Sequence, residues 1–135
     1  MTTARWTFDA TRVAPGKGRQ VIREFALPAE PTEHALGSIA VCVSEAMTNV
    51  VVHAYRDMDP PGRIDMDAEL DGDSLTIRVR DQGHGLEPRI DSKGLGLGLP
   101  LISKFSAASE IATSEDGGTE VVMRFDLQEE GEADA

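Results

Sequence analysis

The sequence predicts an α/β fold, a two-layer sandwich in which helices cover one face of a mostly antiparallel sheet. Apolar and polar residues alternate over 63–70 and again over 75–80, and Asp71-Gly72 separates the two runs. This pattern is typical of a β-hairpin with one buried and one solvated face. Upstream, apolar residues recur at the spacing of amphipathic helices. Because hairpins leave little room for parallel crossovers, the sheet should be mostly antiparallel.

Turn residues mark the boundaries of the predicted elements. Pro15-Gly16 begins a first helix, Pro28 and Pro31 end it, and Thr32 is the predicted N-cap of a longer helix. Besides the hairpin, the predicted elements are a strand at 5–8, helices at 15–27 and 32–55, a glycine-rich loop at 82–98, a short helix at 99–105, and strands at 110–113 and 119–127.

Composition and charge exclude several classes of function. The 135 residues include 13 basic and 24 acidic side chains, which give a net charge of −11 and make duplex nucleic acid or an anionic membrane a poor partner. The single Cys42 cannot form an internal disulfide, and neither a signal peptide nor a membrane-spanning apolar stretch is visible. We therefore expect a cytoplasmic protein with one domain at 1–127 and a disordered acidic tail at 128–135.

The long helix carries the first candidate site residues. Its sheet-facing side should consist of Leu36, Ile39, Val43, Met47, Val50 and Ala54. Glu45, Asn49 and His53 share another side. A carboxylate can accept a proton from a hydroxyl group, and an amide oxygen is a neutral ligand for Mg²⁺. The alternative is an ordinary solvated face, with a packing or capping role for His53, and zinc is not expected because no second His or Cys lies nearby.

A carboxylate followed by glycines forms the second candidate. Asp81 ends the alternation of its strand, and Gly83 and Gly85 follow, so the backbone can approach a ligand beside a fixed carboxylate. Such a carboxylate would accept a hydrogen bond from the exocyclic amine of adenine, where guanine has a carbonyl group. Taken alone, a structural turn is the more common explanation of this pattern.

A glycine-rich run at a helix start forms the third candidate. Gly94, Gly96 and Gly98 open the short helix, with Lys93 beside them. Backbone amides at a helix N-terminus can bind phosphate, and a lysine adds positive charge. The spacing matches neither the P-loop nor the dinucleotide-binding fingerprint, and the alternative is again a tight turn.

Four motifs, in this order, resemble one protein family. They are Glu45–Asn49 (EAMTN) with His53–Tyr55 (HAY), Asp81–Gly85 (DQGHG), Gly94–Ile102 (GLGLGLPLI) and Gly117–Val121 (GGTEV). The chain resembles the anti-sigma-factor serine kinases over residues 5–125, within the wider group of ATP-binding domains shared by gyrase, the Hsp90 chaperone, histidine kinases and MutL. The resemblance implies the Bergerat fold, a left-handed βαβ ATP-binding sandwich.

The resemblance also implies roles for matching residues. Glu45 matches the general base that activates the acceptor serine, and Asn49 matches the residue that holds Mg²⁺ between the ATP phosphates. Asp81 matches the adenine-binding aspartate. The other expected nucleotide contacts are His53, Gly83, Gly85, Lys93, Gly94, Gly96, Gly98 and Thr119. ATP and Mg²⁺ are therefore the expected cofactors.

The function implied by the resemblance is that of a protein-serine kinase. It would phosphorylate a STAS-type anti-sigma-factor antagonist and sequester a sigma factor, as a possible homodimer. Residues 86–93 form a short lid, which also fits a non-catalytic ATP-binding or partner-binding module. The run 94–100 is similar to switch kinases that act on stress-signalling scaffolds, whereas HAY resembles the sigma-binding branch. A histidine kinase fragment is disfavoured because 135 residues leave no room for a phosphoacceptor helical hairpin.

Overall fold

The computed structural model describes residues 1–55, 57–83, 95–114 and 117–131, and for residues 95–99 the backbone alone. The helices and strands are β1 (Thr2–Asp9), α1 (Ala14–Ala26), α2 (Glu33–Asn49), β2 (Arg63–Asp71), β3 (Ser74–Arg80), α3 (Leu95–Phe105), β4 (Ala108–Thr113) and β5 (Thr119–Asp126). A 3₁₀ turn at Leu27–Ala29 follows α1, and a π turn at Val50–Ala54 follows α2. β1 and α3 begin earlier than the sequence predicts.

The strands form one sheet that brings the end of β3 next to the start of β5. The strand order is β1-β2-β3-β5-β4, and each of these neighbouring pairs is antiparallel. The β2–β3 hairpin turns at Gly72, whose φ of 59° is a left-handed conformation that glycine adopts readily. Arg80, the last residue of β3, pairs with Glu120 of β5. The loop after β3 therefore begins beside the β4–β5 turn.

The two faces of the sheet differ, as the sequence predicts. The helices lie on one face, with α2 between α1 and α3. The strand residues that face them are buried, among them Ile64, Met66, Leu75, Ile77, Val79, Met123 and Phe125. On the other face Arg80 forms ion pairs with Asp67 at 2.9 Å and with Glu120 at 3.4 Å. The predicted two-layer sandwich with helices on one face is confirmed.

The central helix α2 is buried on two sides. Thr32 caps it as predicted, because its Oγ1 accepts a hydrogen bond from the Ala35 N–H at 3.0 Å. The predicted sheet-facing residues are buried, except that Leu36 is half-buried. Cys42, on another side, has no exposed surface and lies against the Ile102 carbonyl of α3. The sequence predicts one helix to Tyr55. The chain stays helical to Ala54, but its last turn, Val50–Ala54, has π rather than α geometry.

The helical segment Glu33–Ala54 is long and apolar enough to cross a membrane by length and composition. This finding corrects the expectation that no stretch of the sequence approaches that length. The apolar character has a structural reason, since the segment packs against the sheet, α1 and α3. A core helix passes the same test, and we interpret Glu33–Ala54 as the core helix of this domain.

The chain after β5 begins in contact with the domain. The Thr32 N–H donates to the Leu127 carbonyl at 2.9 Å, and the Thr32 hydroxyl donates to the Glu129 carbonyl. Gln128 Nε2 donates to the Glu30 carbonyl at 3.1 Å. The α1–α2 connection therefore supplies hydrogen-bond partners to the first residues of the predicted tail, and the disorder of the tail stays a prediction. Residues 132–135 lie outside the described residues, and the boundary at 127 stays a prediction.

Candidate functional site

The loop that follows β3 forms one side of the candidate site. Asp81 is 3% exposed, and its N–H donates to the carbonyl of Thr119 at 3.0 Å. The Gly83 N–H donates to Asp81 Oδ1 at 2.9 Å. An aspartate that accepts from the backbone two residues on closes a tight local turn. Its carboxylate orientation is therefore set by the loop itself.

Two glycines allow this loop to touch its neighbours closely. A Cβ added to Gly83 would lie 1.9 Å from the carbonyl oxygen of Ala54, in the π turn. A Cβ added to Gly118 would lie 1.8 Å from the carbonyl oxygen of Asp81. The loop therefore lies tightly between the end of the central helix and the β4–β5 turn. Sequence reasoning placed Gly83 at this turn but assigned no role to Gly118.

Tyr55 joins the same loop to the helix and to β2. The hydroxyl donates to the Arg63 carbonyl at 2.6 Å and accepts from the Gln82 N–H at 2.9 Å, and the residue is 7% exposed. The pKa of this hydroxyl is raised above its ordinary value, chiefly by burial. The Gln82 hydrogen bond opposes this shift, and the Asp81 carboxylate adds to it. Tyr55 lies in the HAY motif, for which the sequence predicts no separate role of the tyrosine; its place as the chain's only tyrosine, at the end of the long helix, was the available signal.

Thr119 completes this side of the site. It is 4% exposed and begins β5, opposite Thr113 of β4. Its carbonyl group holds the Asp81 N–H, so the structure brings these two sequence-predicted residues together. We refer to Tyr55, Asp81, Gln82, Gly83, Gly118 and Thr119 as the platform.

The other side of the site is a face of the central helix. Glu45, Asn49 and His53 are each half-buried, and we refer to them as the helix face. Glu45 and Asn49 lie one turn apart on α2, a separation that places Cβ atoms about 5–6 Å apart. His53 lies in the π turn, so its angular position differs from that expected for a regular α-helix.

Two contacts fasten the helix next to Glu45. Arg19 Nη1 of α1 donates to the Ser44 hydroxyl at 2.8 Å. Cys42 Sγ lies 3.8 Å from the Ile102 carbonyl. Burial, with a smaller contribution from the Glu45 charge, raises the pKa of the Cys42 thiol to about 12. The thiol is therefore neutral and part of the core.

The donor set determines which kind of metal the helix face suits. Among the residues that the structure describes, no group of three or more His, Cys, Asp or Glu side chains could hold a metal ion. Mg²⁺ commonly binds through one or two protein oxygens together with substrate phosphates. The Asn49 amide therefore fits a Mg²⁺ ion that arrives with a phosphate ligand, and the described residues do not offer a closed metal site.

Part of the predicted nucleotide site, from the turn under the base and the phosphate-binding run, falls outside the described residues. These positions are Gly85, Lys93 and Gly94. Gly96 and Gly98 lie inside α3, which begins at Leu95 rather than at the predicted residue 99. Their contact with phosphate stays a prediction.

Comparison with known proteins identifies the family. Residues 8–125 match the histidine kinase-like ATPase domain family. The chain belongs to this family. The anti-sigma F factor of Thermoanaerobacter sp. (strain X514) is 30% identical over 116 residues, which are 78% of this chain and 80% of the relative. The anti-sigma F factor of Oceanobacillus iheyensis is 30% identical over 120 residues, 81% and 82% of the two chains.

Two solved structures share the fold. The crystal structure of the RsbU and RsbW domains of a Mycobacterium tuberculosis protein has a TM-score of 0.73 and 23% identity, covering 97% of this chain and 34% of that chain. The histidine kinase domain of an Erythrobacter litoralis blue-light activated histidine kinase has a TM-score of 0.51 and 25% identity, covering 70% and 45%. The predicted ATPase-type fold and the resemblance drawn from the four motifs are confirmed.

Proposed function

We propose that this histidine kinase-like ATPase domain is an ATP-dependent protein-serine kinase that acts on an anti-sigma-factor antagonist and also binds a sigma factor. The observation that carries the proposal is the pairing of a buried, backbone-held Asp81 with a neighbouring helix that presents Glu45 and Asn49. The names of the anti-sigma F relatives support the biological role.

The platform is suited to bind adenine. A carboxylate that the loop holds in one orientation can accept a hydrogen bond from the exocyclic amine of adenine. Gly83 lets the loop pack directly on the Ala54 carbonyl group, which fixes the loop beside the helix, and the Thr119 hydroxyl would add a second polar contact to the base. This interpretation predicts a preference for ATP over GTP.

The helix face would contact the phosphates. The Asn49 amide oxygen would hold Mg²⁺ together with the nucleotide, and His53 would line the same side. Mg²⁺ bound in this way supplies positive charge that neutralises the phosphate oxygens. Gly85, Lys93, Gly94, Gly96 and Gly98 are proposed as further nucleotide contacts from the sequence pattern.

Glu45 would serve as the general base in phosphoryl transfer. The acceptor serine oxygen forms a bond to the γ-phosphorus, and the bond from that phosphorus to the β–γ bridging oxygen breaks. ADP leaves, and the serine proton passes to the Glu45 carboxylate. Most of the catalysis in such reactions comes from positioning and charge neutralisation, to which general base catalysis adds about 10²- to 10⁴-fold.

Phosphorylation would also control the choice of partner. The new phosphate carries about −1.5 to −2 charges. This protein has a net charge of −11, so the modified antagonist would bind more weakly and leave the sigma factor bound. We propose a cytoplasmic location and a possible homodimer for this role. A monomer mass at micromolar concentration in light scattering would count against the homodimer.

ATP binding is tested first, by the thermal midpoint with Mg-ATP, Mg-GTP and no nucleotide. A ligand at 100-fold excess over its Kd adds about 2.7 kcal/mol, which is several degrees for a domain of this size. We expect Mg-ATP alone to raise the midpoint, and Asp81→Asn and Asn49→Ala to lose the effect. No shift with ample ATP in the wild-type protein would contradict the nucleotide site.

Phosphoryl transfer is tested with Glu45→Gln. Radiolabelled ATP is supplied with the antagonist of one of the anti-sigma F relatives and with candidate antagonists from the same genome. Glu45→Gln should keep ATP affinity and lose about 100-fold or more in transfer rate. Glu33→Gln, which removes the same charge from the exposed start of α2, is the matched control and should transfer at the wild-type rate. ATP binding without transfer to any antagonist would favour the non-catalytic module.

A further inference from the structure

Three consecutive backbone N–H groups of the loop after β3 each have a different partner. The Asp81 N–H bonds to β5, the Gly83 N–H bonds to the Asp81 carboxylate, and the Gln82 N–H bonds to the hydroxyl of Tyr55. The Tyr55 bond thus joins this peptide segment to the residue that follows the helix with Glu45 and Asn49.

The tyrosine is itself held firmly. Its hydroxyl donates to the carbonyl group of Arg63, the first residue of β2. The ring lies against Gly62, where an added Cβ would be 2.3 Å from Tyr55 Cε1. Because ring and hydroxyl are both fixed, the phenol oxygen is a rigid acceptor for the Gln82 N–H.

The Gln82 peptide lies between the Asp81 carboxylate and the Gly83 N–H that orients it. A shift of this peptide would move the Gly83 N–H. Because that N–H donates to Asp81 Oδ1, the orientation of the Asp81 carboxylate would change with it. We propose that Tyr55 is a positioning residue for purine selection, whose hydroxyl fixes the loop so that the Asp81 carboxylate meets the exocyclic amine of the base. This inference rests on the proposed ATP site.

Removing only the hydroxyl leaves the fold in place. In Tyr55→Phe the ring still fills its position next to Gly62. The other side of Tyr55 borders an open groove of about 830 Å³, also lined by Arg63 and Gln82. Water in that groove can hydrate the freed Arg63 carbonyl and Gln82 N–H. Because Tyr55→Phe stays folded, a change in its nucleotide affinity reports the position of the loop after β3 rather than a loss of structure.

Calorimetric titration of the full chain with two nucleotides separates positioning from structural support. The probes are Mg-ATP and the Mg complex of purine riboside triphosphate, which lacks the exocyclic amine. Tyr55→Phe should weaken ATP binding about tenfold, the effect of losing one hydrogen bond to a charged group. Purine riboside triphosphate should bind the variant as it binds the wild type. In Asp81→Asn, adding Tyr55→Phe should cause no further loss, because the two residues act through one contact.

A matched control removes a hydroxyl from the same groove. Thr7 donates its hydroxyl to Asp65 Oδ1 at 3.0 Å, a bond that joins β1 to β2 rather than to the loop after β3, so Thr7→Val should leave both affinities unchanged. Equal losses for the two nucleotides in Tyr55→Phe, or losses that add to those of Asp81→Asn, would overturn the positioning role. Wild-type protein that binds no ATP would overturn the proposed function itself, whereas ATP binding that needs Asp81 and ignores Tyr55→Phe would overturn only the inference.

A second measurement keeps the wild-type sequence and labels Tyr55 itself. Tyr55 is the only tyrosine in the chain, so biosynthetic incorporation of 3-fluorotyrosine labels this one site. The ¹⁹F resonance should shift on addition of Mg-ATP and shift much less with purine riboside triphosphate. The same response to both nucleotides, or no response to either at saturation, would contradict the role of Tyr55.

Discussion

The platform and the helix face differ in how the fold holds them. On the platform, Asp81, Thr119 and Tyr55 are at most 7% exposed; the Asp81 N–H bonds to the Thr119 carbonyl, and the Tyr55 hydroxyl accepts from the next N–H of the loop, that of Gln82. On the helix face, Glu45, Asn49 and His53 are half-buried side chains of a helix that packs through its other residues. The main-chain path of the platform is therefore fixed by close packing, whereas the helix face can change its side chains without moving the main chain.

The largest expected effect is on the platform, in Gly118→Ala. The new Cβ would lie 1.8 Å from the Asp81 carbonyl oxygen, so main chain must move. Overpacking typically costs about 1–3 kcal/mol, and contact with backbone favours the upper end, about 3 kcal/mol. Urea unfolding measures this loss, and the thermal shift with Mg-ATP should also disappear. A loss below about 1 kcal/mol with ATP binding retained would contradict a rigid platform.

Local patterns were enough to predict most of the fold. The Asp71-Gly72 hairpin, the Thr32 cap and the alternation of β2 and β3 depend on residues near each other in sequence. The position of β5 between β3 and β4 was not predicted, because strand order depends on pairing between distant segments. The contact of Gln128 with the carbonyl group of Glu30 was not predicted for the same reason, since the two residues lie far apart in sequence.

The candidate site also contains residues that local sequence patterns predict and contacts that depend on distant segments. Asp81, Gly83, Glu45 and Asn49 are visible in the sequence because carboxylates, amides and glycines occur at characteristic spacings. The Tyr55 contacts join residues 8 and 27 positions apart, and no local pattern indicates them. The approach of Gly118 to Asp81 is likewise a product of the β3–β5 pairing.

An intermediate effect is expected one turn before the helix face, at Cys42. Burial raises the pKa of its thiol from an ordinary value of 9.0 to about 12 in the folded chain. Between these values the unfolded chain loses the thiol proton while the folded chain keeps it, so stability is full below pH 9 and falls as pH rises towards 12. At pH 10 this group should lower the free energy of unfolding by about 1 kcal/mol relative to pH 7.

The Cys42 contribution is isolated by a difference between two proteins. Other groups also titrate at high pH, but they are shared by the wild type and Cys42→Ala. Urea unfolding at pH 7 and pH 10 should show a smaller loss in Cys42→Ala. The same loss in both proteins would indicate that solvent reaches this side of the helix, and the buried and half-buried sides of α2 would then not differ as described.

The smallest expected effect has the opposite sign, in Gly37→Ala. Gly37 lies within α2 on an exposed side, and an added Cβ would meet no atom within 4 Å. Alanine in a helix interior is favoured over glycine by about 0.5–1 kcal/mol, so the free energy of unfolding should rise by that amount. Nucleotide affinity should not change, since Gly37 lies two turns before Glu45. Glycine-to-alanine substitution would therefore stabilise the protein at Gly37 of α2 and destabilise it at Gly118 of the platform. Destabilisation at both positions would mean that α2 is packed as tightly as the platform, and the contrast between the two regions would be lost.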